Sequence, residues 1–262
     1  MALLHVAFHS HALMMNVDMD VILPEETIGQ IGMQGHAGQT YPTLYLLHGM
    51  SDDHTIWQRR TSIERYVADK NLAVVMPAVD LSWYTDMARG YPYWTFISEE
   101  LPAICRAMFP RMSTRREDTF VAGLSMGGYG ALKLGLRKSE MFSYAAALSA
   151  SPDAAKRRYT ANGDTKTYWE DVFGPLDQIE GSFNDLFAAA RELDASEKEK
   201  PRIYMWCGTE DALFPDNEKM RDCLKENHFD LTWEQSVGCH AWKYWDEKIQ
   251  TVLAWLPLKG GK

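Results

Sequence analysis

Cysteine is scarce in this chain: 262 residues hold four, Cys105, Cys207, Cys223 and Cys239. No two of them form a C-x-x-C pair, which removes a zinc knuckle and a thioredoxin-type redox motif. Reduced, mostly buried thiols are expected instead. Long apolar runs are also missing, since no stretch reaches the roughly 18 residues a membrane span requires. Residues 1–15 lack the basic start of a signal peptide, and histidines interrupt their apolar run, so a cytoplasmic protein is expected. Basic residues are outnumbered 27 to 36, for a formal net charge of −9. That balance argues against a nucleic-acid-binding face. No block of like charge is long enough for an interaction tail, and no repeat or low-complexity segment is evident.

What remains is an ordinary globular composition, 46% apolar and 24% charged, on a chain long enough to bury a core without disulfides or a structural metal. Leu3–Phe8 is apolar-rich. Asn16–Val21 alternates Asn16, Asp18, Asp20 with Val17, Met19, Val21, the pattern of an antiparallel edge strand with one wet face. Thr27–Thr40 carries Gly29, Gly32, Gly35 and Gly38 and reads as a loop. Short apolar runs then alternate with amphipathic stretches. The runs are Thr43–Leu47, Leu72–Met76, Thr119–Ala122, Tyr144–Leu148, Arg202–Trp206 and Leu231–Gln235, as expected of strands buried on both faces of a parallel sheet. Helices are expected near Ile56–Asp69, Tyr93–Phe109, Tyr129–Arg137, Pro215–Asn227 and Trp242–Trp255. The polar segment Ser151–Lys200 breaks the rhythm and reads as a lid-like insertion or cap. The whole predicts one α/β domain over 1–262: an eight-stranded, mostly parallel sheet with helices on both faces and 151–200 inserted.

Gly123-Leu124-Ser125-Met126-Gly127 matches G-x-S-x-G, a weak signal by itself. Its setting strengthens it: an apolar strand precedes the motif and a helix follows. Such a turn strains the serine backbone, while glycines on either side let strand and helix approach. The hydroxyl then stands above the sheet near the positive end of the helix. A phosphate-binding loop needs Lys-Ser or Lys-Thr at the helix start, and neither is there; Gly128, Gly130 and Gly135 do not make a dinucleotide fingerprint.

A serine hydroxyl needs a base to take its proton. In this architecture the chain order is serine, acid, histidine, and only His228 and His240 follow Ser125. His228 precedes a strand and so lies at the wrong edge of the sheet; His240 follows the last strand, at the edge where sites form. Asp211 is the expected acid, with Glu210 and Asp216 as alternatives, and its role is to hold the second ring N–H of His240. The developing oxyanion requires backbone donors. Met126 supplies one, and the turn His48-Gly49-Met50 after Thr43–Leu47 supplies the Met50 N–H.

His48, Asp53 and His54 do not match a metallo-hydrolase spacing, and His9 with His11 reads as an edge-strand pair, so no metal is expected. Trp83, Tyr84, Tyr93 and Trp94 crowd a loop at the carboxyl edge and are candidate walls of a substrate pocket.

Four stretches together resemble the esterase D family, and within it the bacterial tributyrin esterases: Leu46–Asp53, Trp83–Asp86, Ala122–Gly130 and Gly238–Trp242 continuing through Asp246. The resemblance implies an α/β-hydrolase fold and a cytoplasmic serine carboxylesterase for short-chain acyl esters, with Ser125, Asp211 and His240 as nucleophile, acid and base. It implies no cofactor. The expected partner is a small-molecule ester, without nucleic acid or membrane, and self-association as a homo-oligomer is allowed. Relatives include feruloyl and acetyl-xylan esterases, S-formylglutathione hydrolases and mycolyltransferases. In the last two a turn other than His-Gly-Met is expected, which argues against a thioester or acyl-transfer role.

Overall fold

The structure, a computed structural model, describes residues 1–29, 31, 35 and 37–258; Gly32 of the expected loop lies outside them. Eight strands form one sheet in the order β1-β2-β4-β3-β5-β6-β7-β8. They are β1 (Ala2–Ser10), β2 (Met15–Leu23), β3 (Thr43–Leu47), β4 (Ala73–Pro77), β5 (Thr119–Leu124), β6 (Tyr144–Leu148), β7 (Arg202–Gly208) and β8 (Leu231–Ser236). β1 and β2 join antiparallel, and β4 through β8 pair in parallel. The mostly parallel eight-stranded sheet is thus what the chain builds.

Period-2 side-chain direction divides the core in two. Tyr45, Leu47, Val121, Ala145, Ala147, Ile203 and Met205 face one layer. Leu44, Leu46, Phe120, Ala122, Ala146, Leu148, Tyr204 and Trp206 face the other. The second layer is covered by α1 (Ile56–Arg60), α2 (Ile63–Val67) and the C-terminal α10 (Trp242–Trp255). The first takes α4 (Leu101–Met108), α5 (Met126–Arg137), α8 (Leu186–Asp194) and α9 (Phe214–Glu226), with the one-turn α3 (Tyr93–Thr95) leading into α4. Within 151–200, α6 (Arg157–Thr160) and α7 (Gly163–Phe173) precede α8, and α8 packs against α5 and α9 as an ordinary layer helix.

Four expectations change in detail. β8 is only half buried, because it is the far edge of the sheet and has β7 alone as a neighbour. Asp20 of β2 is not on a wet face: it is 1% exposed and accepts hydrogen bonds from His5 Nδ1 and Gln58 Nε2, both at 2.6 Å. The helix expected over 56–69 breaks at Thr61, whose backbone is extended and whose hydroxyl takes the Trp57 carbonyl. In the helix expected over 93–109, Pro102 has no N–H for the Ser98 carbonyl. The turn before it widens to a π-helix over Phe96–Glu100, closed by the Leu101 N–H on the Phe96 carbonyl.

β3 sits between β4 and β5, so the chain leaves β3 toward one side of the sheet and leaves β5 toward the other. A crevice opens at the carboxyl ends of strands where the connections diverge this way. The turn after β3 and the turn after β5 face each other across it.

Candidate active site

Ser125 follows β5 directly and caps the start of α5, with φ 53° and ψ −116°, a conformation that costs a non-glycine residue of order 1–3 kcal/mol. The neighbouring glycines are obligatory for steric reasons. A β-carbon on Gly123 would lie 2.3 Å from the Gly127 carbonyl oxygen, and one on Gly127 would lie 2.6 Å from the oxygens of both Leu47 and His48. With no side chains there, α5 leaves the sheet at once and starts at Met126, three residues earlier than the apolar pattern suggested.

Ser125 Oγ lies 3.0 Å from His240 Nε2, and His240 Nδ1 lies 2.8 Å from Asp211 Oδ2. The other Asp211 oxygen accepts the Leu213 N–H at 2.9 Å. Since a carboxylate only accepts, Nδ1 carries the ring proton and Nε2 is free to receive one from the serine. Burial pushes the Asp211 carboxyl up. Hydrogen bonds from His240 and the Leu213 N–H, and one with Ser149, outweigh it and leave the carboxyl below its ordinary value. The alternatives are spoken for: Glu210 is exposed, and Asp216 pairs with Lys156 Nζ at 2.7 Å. Ser149 and Trp245 complete the setting. The Trp245 indole N–H donates to Ser149 Oγ at 3.1 Å, and its ring stands edge-on to the His240 imidazole at 4.8 Å.

Across the crevice, Gly49 lies against Ser125; a β-carbon there would be 3.7 Å from Ser125 Cβ. Three carbonyls of this turn are pinned. Trp57 Nε1 donates to the Leu47 oxygen at 3.0 Å, the Tyr84 hydroxyl to the His48 oxygen at 2.9 Å, and His48 Nδ1 to the Gly49 oxygen at 2.8 Å. His48 Nε2 accepts the Val79 N–H at 3.0 Å. An amide donor on one nitrogen and a carbonyl acceptor on the other leave a single neutral tautomer. Burial lowers the His48 pKa in agreement. In a trans peptide the N–H points opposite the carbonyl, so anchoring the Gly49 oxygen aims the Met50 N–H away from His48. The Met50 and Met126 N–H groups have no protein acceptor among the described residues.

The four aromatics expected as pocket walls are all interior, from 0% exposed for Tyr84 to 8% for Trp94. Tyr84 props the turn after β3. The Tyr93 hydroxyl bonds Asp80, and the Trp83 indole N–H bonds the Tyr168 hydroxyl at 2.9 Å. Trp94 stacks edge-on with Phe183 at 5.2 Å. The loop that carries Trp83 and Tyr84 holds Asp80, Trp83 and Tyr84 at positive φ of 49°, 55° and 52°, and the contacts of Trp83, Tyr84 and Asp80 offset the strain.

Lys133, a residue with no expected role, is fully buried beneath this loop. Its ammonium reaches the Tyr84 carbonyl at 3.2 Å, Thr85 Oγ1 at 2.6 Å and Asn184 Oδ1 at 2.7 Å. Burial pushes its pKa down. Three acceptors for three N–H bonds, and the rings of Trp94, Tyr129 and Phe183, hold the protonated form against that. Its signal was present in the sequence: it is the lone charge in the run Met126–Leu136. No group of three or more potential metal ligands occurs among the described residues, and no helix there is long and apolar enough to cross a membrane. A cavity of about 500 Å³ lies beside α6, lined by Lys156, Arg158, Asp185 and Arg191 among others, and none of Ser125, Asp211 and His240 lines it.

An open, mostly parallel sheet with a serine on a strained strand-to-helix turn defines a serine hydrolase of the α/β-hydrolase fold. Residues 10–256 match the Esterase family model, described as "Putative esterase". The chain belongs to that esterase family and is a carboxylic ester hydrolase. It is 31% identical to an acetyl esterase of Caldicellulosiruptor saccharolyticus over 98% of both chains. Two Staphylococcus aureus structures are each 34% identical over 97% of this chain and 98% of theirs. One is the substrate-bound fluorophosphonate-binding serine hydrolase FphF, with a TM-score of 0.87. The other is the S-formylglutathione hydrolase FrmB as apoenzyme, with a TM-score of 0.84.

Proposed function

We propose that the chain is a serine carboxylesterase that cleaves short-chain acyl esters through an acyl-enzyme on Ser125. The observation that carries this reading is the hydrogen-bond chain from Ser125 Oγ through His240 to Asp211, at 3.0 and 2.8 Å. His240 Nε2 takes the hydroxyl proton as Oγ attacks the ester carbonyl. The Met50 and Met126 N–H groups receive the oxyanion. His240 then returns the proton to the departing alcohol. Water, deprotonated by the same nitrogen, attacks the acyl-enzyme and releases the acid. Asp211 keeps the imidazole in the required tautomer and stabilises its cation. The inserted segment 151–200 meets the crevice at its start, where the Ser151 N–H donates to the Ser125 carbonyl at 3.3 Å.

Kinship with a named acetyl esterase supports a small acyl group. A thioester reading has its own support, because FrmB is as similar in sequence as FphF is. The argument against thioesters from the His-Gly-Met turn therefore carries little weight. The test is hydrolysis of 4-nitrophenyl acetate and of S-formylglutathione by the wild type and by Ser125→Ala, with fluorophosphonate labelling of the wild type. The ester reading expects fast acetate release, lost in Ser125→Ala by about 10⁴-fold or more. Retained turnover in that variant overturns it, and a far higher kcat/KM on the thioester selects the second reading.

A further inference from the structure

Arg157, at the start of α6, lies close to the nucleophile and is unmatched. Its Nη2 donates to Ser151 Oγ at 3.0 Å, and the Ser151 N–H donates to the Ser125 carbonyl at 3.3 Å. The guanidinium lies 4.2 Å from the ring centre of Trp169 and 5.5 Å from that of Trp83. Trp83 in turn packs edge-on against Tyr129, in the first turn of α5, at 5.6 Å. Two indoles and a serine therefore fix the plane of the cation at the carboxyl edge of β6.

Its charge meets no carboxylate in direct contact. Arg157 forms no ion pair among the described residues, and its Nε is buried with no hydrogen-bond partner. The nearby acids are engaged elsewhere. Both Asp216 oxygens take Lys156 Nζ, at 2.7 and 3.0 Å, and Lys219 stands 3.9 Å from Asp153. Burial lowers the Arg157 pKa, and the fields of Asp216 and Asp153, neither of which touches the guanidinium, oppose that only in part. Lys133 shows the opposite arrangement, with an acceptor for each of its N–H bonds. With Nε buried and one Nη2 bond spent on Ser151, the outer Nη1–Nη2 edge is the one left to a carboxylate, which it matches through two parallel N–H bonds.

We propose that Arg157 is a specificity-determining residue that receives a carboxylate carried by the ester substrate. This rests on the reading of Ser125 as the nucleophile. The preferred esters bear a negative charge a few atoms from the scissile carbonyl, either on the acyl chain or on the departing alcohol.

Two matched pairs separate those sources: mono-4-nitrophenyl adipate against 4-nitrophenyl hexanoate, and 3-acetoxybenzoate against phenyl acetate. In at least one pair, Arg157→Met lowers kcat/KM on the anionic ester by about tenfold or more, chiefly through KM. The neutral esters stay within about twofold. Arg157→Lys restores part of the loss, because it keeps the charge without the fork. Equal losses on anionic and neutral esters reduce Arg157 to a packing residue and overturn the proposal. So does an unchanged anionic-to-neutral ratio in both pairs. If the wild type hydrolyses no ester and Ser125 takes no fluorophosphonate, the esterase mechanism itself has failed. Labelling and neutral-ester turnover without Arg157-dependent selectivity locate the failure in this proposal alone.

Discussion

Two segments flank Ser125, and they are finished differently. On one side, the turn after β3 and the loop after β4 are tied together, with His54 Nδ1 the buried polar atom there that has no partner. Tyr84, His48, Trp57, Tyr93 and Lys133 each have an identified partner there, and three positive-φ residues are locked in place. On the other side, the segment leaving β6 carries a cation with a buried N–H left over. A densely hydrogen-bonded network gives rigidity, and that suits the side on which the proposed mechanism needs backbone donors already aimed at an oxyanion. The buried Nε is closed to any ligand, and it is the outer edge of the same guanidinium that the proposed substrate carboxylate would meet. Under the proposed function, the first side is scaffold and the second is recognition.

That contrast makes predictions of decreasing size. Gly127→Ala drives a methyl into two backbone carbonyls. It should cost about 3 kcal/mol or more, seen as loss of the folded state in denaturant titrations. Lys133→Met leaves the Tyr84 carbonyl, Thr85 Oγ1 and Asn184 Oδ1 without their shared donor. A loss of about 2–3 kcal/mol is expected, and unchanged stability would mean that the closed network does not hold that side together. Tyr84→Phe removes the bond to the His48 carbonyl. It should cost about 1 kcal/mol of stability and lower kcat more than it raises KM, since the donor it steadies acts in the transition state. Arg157→Met gives up one hydrogen bond and the indole contacts, so it should cost about 1 kcal/mol of stability while altering selectivity. A stability loss matching that of Lys133→Met would erase the distinction between the two sides.

Acid adds a further test, because two site groups resist protonation in the fold. His48 is held below the ordinary imidazole value of about 6.5, and Asp211 below the ordinary carboxylate value of about 4. Below about pH 6.5 the unfolded chain takes up a proton at residue 48 that the folded chain refuses, so stability falls as pH drops toward the folded value. The Asp211 contribution is present above about pH 4 and is lost as pH falls through its lower folded value. Denaturation midpoints measured from pH 8 to 4 should therefore begin to decline near pH 6.5. A flat profile to pH 5 would show that His48 accepts a proton in place.

The parts legible in the sequence are those governed by local pattern and chain order. Short apolar runs located the strands, and β3 and β6 fall on the expected residues. G-x-S-x-G placed Ser125 at the strand-to-helix turn, and order along the chain reduced eight histidines to His240, which the structure brings to Ser125. The parts not legible are those whose partners are remote in sequence. Trp83 and Tyr84 looked like pocket lining because they are aromatic and cluster in a loop. Their hydrogen-bond partners, Tyr168 and His48, are distant in the chain and draw them inside. Arg157 sits in a run of three basic residues that resembles any solvated surface, and its indole clamp forms only when the loop after β4 meets α7. His48 was taken for part of a backbone turn, while its imidazole orients that turn.

The pinned turn after β3 also bears on transplantation. Its tripeptide His48-Gly49-Met50 looks portable, yet the direction of its amides is dictated from outside by Trp57, Val79 and Tyr84. Grafting those three residues onto another scaffold would move the letters without the grip. A designer borrowing this turn would have to carry over an indole from the helix that follows, an amide from the next crossover and a phenol from a left-handed loop as one unit.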